Sequence, residues 1–199
     1  MSSSVRALTL ADVAMPRAGA LNSAFLLLGS SLVTALAAQV AIPVPWSPVP
    51  ITAQTFAVLL CGAVLGARRA FLAQALYLLE GAAGLPVFAG GAAGLAKLAG
   101  PTAGYLLAFP CAAAITGMLA ERGWDRRFPS MMSAMLLGGA VIFVPGLAWL
   151  SRFVPSHQLL AAGLFPFVPG DLLKAALSAL AFPTVWRWVG ARGGTWRPR

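Results

Sequence analysis

The sequence predicts an all-α integral membrane protein of six transmembrane helices with both termini cytoplasmic. Composition, the lengths of the apolar runs and the placement of positive charge carry that prediction. Of 199 residues, 59% are hydrophobic and only 10% are charged, against about a quarter charged in soluble domains. A soluble fold of this size has to cover its surface with polar side chains, and too few are present. Lipid is therefore the solvent expected around most of the chain. The length fits one membrane domain over residues 1–199, with a cytoplasmic segment over 1–20, a helical bundle over 21–189 and a basic tail over 190–199.

The first apolar run, from about Leu21 to Ile42, reaches the roughly 20 residues that cross the hydrocarbon core. It is too long for a signal-peptide core and has no convincing cleavage site, so it reads as a retained helix. It stops at Ile42-Pro43-Val44-Pro45, because alternating prolines cannot continue a helix. An uncharged, proline-rich link containing Trp46 then runs to Pro50. The second span is expected from about Thr52 to Gly66 and the third from about Ala70 to Glu80, punctuated by Arg68-Arg69. Both are short for a bilayer. Residues 81–100 are apolar yet contain Gly81, Gly84, Gly90, Gly91, Gly94 and Gly100, with Gly104 just beyond. Irregular backbone at membrane depth is tolerated only inside protein or beside a cavity, so this stretch is expected to wall a pocket. Span four runs from about Thr102 to Leu119 and span five from about Met131 to Leu150. Span six opens at Pro169-Gly170-Asp171 and continues to about Val189.

The net charge of +9 would suggest nucleic acid in a soluble protein. Here the bases lie in short links between apolar runs, which reads as membrane topology and attraction to anionic lipid. No groove interleaving bases with aromatics is present, as single-strand binders need. With the N-terminus inside, Arg6, Arg17, Arg68, Arg69, Arg122, Arg126, Arg127, Arg187, Arg192, Arg197 and Arg199 all fall on the cytoplasmic side. Only Lys97 and Arg152 fall in outer links, and Lys174 falls within a span. The proline link, the glycine stretch and the start of span six then share the outer face.

Asp171 and Lys174 are the acid and base inside the sixth span, three residues apart and so on one helix face. Ionisable groups within spans are costly and usually face a bundle interior or a wet cavity. Two readings stay open: a helix cap with a neighbouring counter-ion, or a polar spot at the outer end of a greasy pocket that meets ligand polar groups. Gln54, Tyr77, Glu80, Thr102 and Tyr105 lie at the same end. In span one, Ser31, Ala35 and Ala38, with Thr34 beside them, form a small-residue ladder. It serves either internal packing or docking to a partner membrane protein. Cys61 and Cys111 fall inside apolar runs and read as small buried hydrophobes. His157 reads as an exposed loop residue. No phosphate loop, HExxH, GxSxG or Cys/His metal spacing occurs. Neither an enzyme, a metal site nor a cofactor is expected.

Four segments in order carry a resemblance: Ile42 to Thr55 (IPVPWSPVPITAQT), Tyr77 to Phe88 (YLLEGAAGLPVF), Gly100 to Leu106 (GPTAGYL) and Pro169 to Lys174 (PGDLLK). Together they resemble the BioY family, the biotin-specific S components of energy-coupling-factor transporters. The resemblance implies a six-helix S component that binds biotin near the outer face. Asp171 and Lys174 match the family's DxxK element. Tyr77, Gly84, Phe88, Thr102 and Tyr105 would line the pocket, and the first link with Trp46 and Gln54 would be its lid. The span-one ladder would dock a transmembrane coupling subunit, itself driven by ATPase subunits on separate chains. The location implied is the cell membrane. A self-sufficient facilitator for the same vitamin is the alternative.

Overall fold

Helices account for most of the chain, and among the described residues four apolar segments are long enough to cross a membrane. The computed structural model describes residues 8–15 and 19–193. Arg6, Arg17, Arg197 and Arg199 lie outside the described residues. A short helix α1 (Leu10–Ala14) precedes α2 (Ala20–Gln39). Next come β1 (Ala41–Ile42) and β2 (Ile51–Thr52), then α3 (Gln54–Leu65) and α4 (Ala67–Ala82). The second half contains α5 (Ala103–Ala120), α6 (Phe128–Leu150), the short α7 (Leu159–Gly163) and α8 (Val168–Gly193). The four long apolar segments are α2, α5, α6 and the stretch Ser156–Val189 that contains most of α8. The apolar α3 has 12 residues and is too short to cross the hydrocarbon by itself.

Sequence boundaries shift at several places. The arginines expected to separate spans two and three sit in the first turn of α4. The break falls at Gly66, whose φ of 81° turns the chain between α3 and α4. Glu121 caps the new helix start, its Oε1 accepting from the Ala67 N–H at 2.8 Å. The α6 helix begins three residues before the expected Met131, with a proline in its first turn where no N–H is needed. The link from Ser151 to Pro166 contains α7, which the sequence reading missed. The proline link is an antiparallel hairpin, pairing Ala41 with Thr52 and Ile42 with Ile51.

The α5 helix is the centre of the bundle, with 72% of its spanning window buried. Its glycines allow backbones to touch, since a Cβ on Gly104 would lie 2.5 Å from the Pro145 carbonyl oxygen. One on Gly117 would lie 2.5 Å from the Gly66 carbonyl carbon. Close approach through small residues is how helices gain packing energy in lipid, where burying apolar surface against protein offers no net transfer gain.

The small-residue ladder of α2 faces this chain's own bundle. Ser31, Thr34 and Ala38 are fully buried and Ala35 nearly so. Ser31 Oγ donates to Glu80 of α4, and Gln74 Nε2 of α4 donates to Thr34 Oγ1 at 3.1 Å. The expectation of a docking face there is corrected, because α4 covers those residues. The outward face of α2 is instead large and apolar, with Leu21, Phe25, Leu28, Leu32 and Leu36 exposed. Cys61 is buried as expected, whereas Cys111 is exposed. His157 is exposed in a 3₁₀ turn, beside Gln158.

Among the described residues, one end of the bundle collects Arg68, Arg69, Arg122, Arg126 and Arg127 with Asp12, Glu121 and Asp125. Thr9 and Asp12 form a capping box on α1, and Arg69 pairs with Asp12 at 2.7 Å. Trp186 Nε1 of α8 donates to Asp125 Oδ2 at 2.6 Å, and the Arg126 guanidinium lies 3.3 Å from the Trp186 ring centroid. This cluster ties α8 to the link between α5 and α6. Burial pushes the Asp125 carboxyl above its ordinary pKa, against the opposing pull of the Trp186 hydrogen bond and Arg126. The folded chain thus keeps the Asp125 proton where the unfolded chain has released it. The resulting stabilisation is full below the unfolded value of about 3.9 and is lost as pH rises through the higher folded value. Asp125→Asn, which keeps an acceptor for Trp186, is expected to flatten this part of the stability profile. Asp125→Ala strands the Trp186 N–H and is expected to cost about 1–3 kcal/mol. Thermal unfolding in detergent between about pH 4 and pH 8 checks both outcomes.

Candidate functional site

The opposite end of the bundle brings together the hairpin, the glycine-rich stretch and the first turn of α8. The chain reaches the hairpin because Pro43 and Pro45 end α2, and the strands close at Ala41 and Thr52. Ser47 Oγ at the tip donates to the Ala162 carbonyl of α7 at 2.6 Å, which pins the link across the bundle. Val44 and Val49 are buried beneath it, but Trp46 is 66% exposed at the tip.

Two adjoining cavities lie under this link. The first, of about 50 Å³, is walled by Val49, Pro50 and Thr52 of the hairpin, by Gln54 and Thr55 of α3, and by Phe88, Ala89 and Lys97 of the glycine-rich stretch. Thr102, Tyr105, Leu106, Phe109, Phe143 and Phe167 complete it. The second, of about 150 Å³, runs between α3, α6 and α8, and Asp171 and Lys174 lie at its polar edge. Of the residues expected to line one pocket, Gln54, Phe88, Thr102 and Tyr105 meet in the first cavity. Asp171 and Lys174 line the second. Tyr77, Gly84 and Trp46 line neither.

Tyr77 supports the wall from behind. Fully buried, it accepts from Gln54 Nε2 at 2.7 Å and donates to the Val87 carbonyl at 3.0 Å. Its ring meets Phe88 edge-on at 5.6 Å and stacks on Phe109 at 6.4 Å. Gly84 makes the turn out of α4 with a φ of 101°, a conformation suited to glycine alone. The glycines of the stretch therefore shape turns, while Phe88, Ala89 and Lys97 present the wall. Gln39, missed in the sequence, ties that wall to α2. Its Nε2 donates to the Phe88 carbonyl at 3.3 Å and its Oε1 accepts from the Gly91 N–H at 3.0 Å.

Asp171 sits in the first turn of α8, where the exposed N–H groups favour a carboxylate. The helix begins at Val168, so Asp171 is inside it and is not its cap. Lys174 Nζ donates to Asp171 Oδ1 at 3.0 Å and to the Thr52 carbonyl at 3.1 Å, while Thr55 Oγ1 donates to Asp171 Oδ1 at 3.2 Å. The pair is thus neutral as a unit and joins α8 to the hairpin and to α3. Both carboxylate contacts fall on Oδ1, and Oδ2 takes none among the described residues. Lys97 differs: its ammonium has neither a carboxylate nor a hydrogen-bond partner among the described residues, yet it lines the first cavity. Thr102 Oγ1 in the same wall is buried and unpartnered. Lys97, Thr55, Phe143 and Phe167 went unmarked in the sequence reading. Only Lys97 had a signal there, as one of two bases on the arginine-poor side.

These features define a multi-pass membrane protein with a small aromatic and cationic chamber at one end. Residues 9–191 match the model of the BioY family. A Pyrococcus horikoshii protein named "Probable biotin transporter BioY" is 40% identical over 147 residues, 74% of this chain and 85% of the relative. The Rhizobium etli "Biotin transporter BioY" is 38% identical over 159 residues, covering 76% and 85%. A crystal structure of the S-component for biotin from an ECF-type ABC transporter superposes with a TM-score of 0.72 over 84% of this chain and 92% of that one, at 24% identity. The chain belongs to the BioY family.

The wall depends on Tyr77. Tyr77→Phe removes both hydroxyl contacts and leaves the Val87 carbonyl and the buried Gln54 Nε2 unpaired, so a loss of about 1–3 kcal/mol is expected. Thermal unfolding of the detergent-solubilised variant beside the parent measures it.

Proposed function

We propose that this chain is the biotin-capturing S component of an energy-coupling-factor importer in the cell membrane. It crosses the bilayer six times, through α2, α3, α4, α5, α6 and α8, with both termini cytoplasmic. Charge placement supports that orientation. The end that gathers Arg68, Arg69, Arg122, Arg126 and Arg127 takes the cytoplasmic side, and the cavities open toward the outer face. The short α3 and α4 complete their crossings with the irregular hairpin and glycine-rich backbone, which wall the first cavity. Catalysis is no part of the reading, and transport energy comes from ATPase subunits through a separate transmembrane coupling subunit. Since the small-residue ladder is covered by α4, the exposed apolar face of α2 is the better docking surface for that subunit.

Lys97 carries the assignment of ligand polarity. Asp171 and Lys174 neutralise each other, so the first cavity holds one uncompensated cation in an aromatic setting. A ligand with a compact, largely apolar ring and one carboxylate complements it, and biotin is such a molecule. Its carboxylate pairs with Lys97. Its ureido N–H groups reach the free Oδ2 of Asp171, and its ureido carbonyl accepts from Lys174.

Biotin and its uncharged carboxamide, titrated against the purified chain, test this assignment. The parent is expected to prefer biotin by about tenfold or more, the value of one charge-assisted hydrogen bond. Lys97→Gln is expected to bring biotin down to the affinity of the amide, and equal affinities in the parent would remove Lys97 from the site. Asp171→Asn and Lys174→Ala each break a hydrogen-bonded charge pair and are expected to cost on the order of 2–5 kcal/mol in biotin affinity. Isothermal titration gives these values, and unchanged affinity in both variants would exclude the pair.

A further inference from the structure

Neither cavity alone has room for a bicyclic ligand with a side chain. Small-molecule pockets run to several hundred Å³, against about 50 and 150 Å³ here. The residues lining both cavities are Thr55 and Phe143. Thr55 is short and anchored to Asp171. Phe143, on α6, is the large group between them. Its ring meets Tyr105 edge-on at 6.1 Å and leans on Phe167 at 6.0 Å.

Four residues earlier on α6 stands Gly139, in the wall of the second cavity. Long side chains on a helix lie back over the preceding turn and choose between two χ1 wells. Gly139 has no packing reason to lack a side chain, since a Cβ there would meet nothing within 4 Å. Its neighbour Gly138 contrasts with it, because a Cβ there would come within 2.3 Å of Thr116 Oγ1. One glycine serves the helix crossing; the other keeps space free in the turn over which Phe143 can fold.

We infer that Phe143 is a rotamer gate whose ring swings over Gly139 and merges the two cavities into one chamber. A single ligand then reaches Lys97 at one end and the Asp171–Lys174 pair at the other. This rests on the biotin reading above and adds the step that makes the chamber large enough. Phe143 is a positioning residue, and Gly139 supplies the room for its movement.

The rate of biotin association with the full chain in nanodiscs, read by stopped-flow tryptophan fluorescence, tests the gate. Gly139→Leu fills the open turn. It is expected to slow association by about tenfold or more, as a ten-to-one bias toward the closed rotamer would, with the melting temperature held near that of the parent. Adding Phe143→Ala to Gly139→Leu removes the gate and is expected to restore the parental association rate. A parental rate in Gly139→Leu, or a double variant as slow as the single one, would overturn the gate. The second result would mean that the new side chain merely occupies ligand volume. A parent chain that binds no biotin would instead defeat the functional reading itself.

Discussion

Backbone polar groups carried to membrane depth have to find partners within the chain, because the hydrocarbon offers none. That constraint organises the cavity-bearing end. The proline link cannot remain helical, so it pairs with itself through Ala41 and Thr52 and spends its free Thr52 carbonyl on Lys174. The glycine-rich stretch cannot form a long helix either. Its exposed carbonyls and amides go to Gln39, to Tyr77 and to its own turns, including the Gly94 N–H to the Gly81 carbonyl at 2.7 Å.

Charge obeys the same rule. Lys174 and Asp171 enter a low-dielectric region together, and each limits the cost of the other. At the arginine-rich end, Asp125 is fully buried but satisfied by Trp186 and Arg126, and Glu121 is used to cap α4. Against that background Lys97 stands apart as a cation in a cavity wall with no anion beside it. In a chain that pairs its other cavity-side charges, that imbalance is what an anionic ligand would correct, and it is the basis on which the ligand carboxylate is proposed to pair with Lys97.

Much of the architecture was legible in residues. The apolar runs gave α2, α5, α6 and α8 within a few positions, and Pro43 and Pro45 gave the end of α2. Arg68-Arg69 misled by three residues, since the break depends on a positive φ at Gly66 that glycine permits and arginine does not reveal. That Gln54, Phe88, Thr102 and Tyr105, which line the first cavity, belong near one another was suggested by three of the sequence segments. The demotion of Tyr77 to a supporting role and the exclusion of Trp46 were not. Both are aromatic residues in matching motifs, and only distance and burial separate a wall from its buttress.

The sequence by itself determined the solvent, the helical elements and the end of the bundle at which polar residues gather, because these follow from composition, apolar length and charge order along the chain. Tertiary structure decided which face of each helix turns inward, as with the ladder of α2 now covered by α4, and which side chains share a cavity. The reason is that an apolar face is nearly as well solvated by lipid as by protein. Hydrophobic pattern therefore loses its power to point toward the core, and small-residue packing and buried hydrogen bonds make that choice instead.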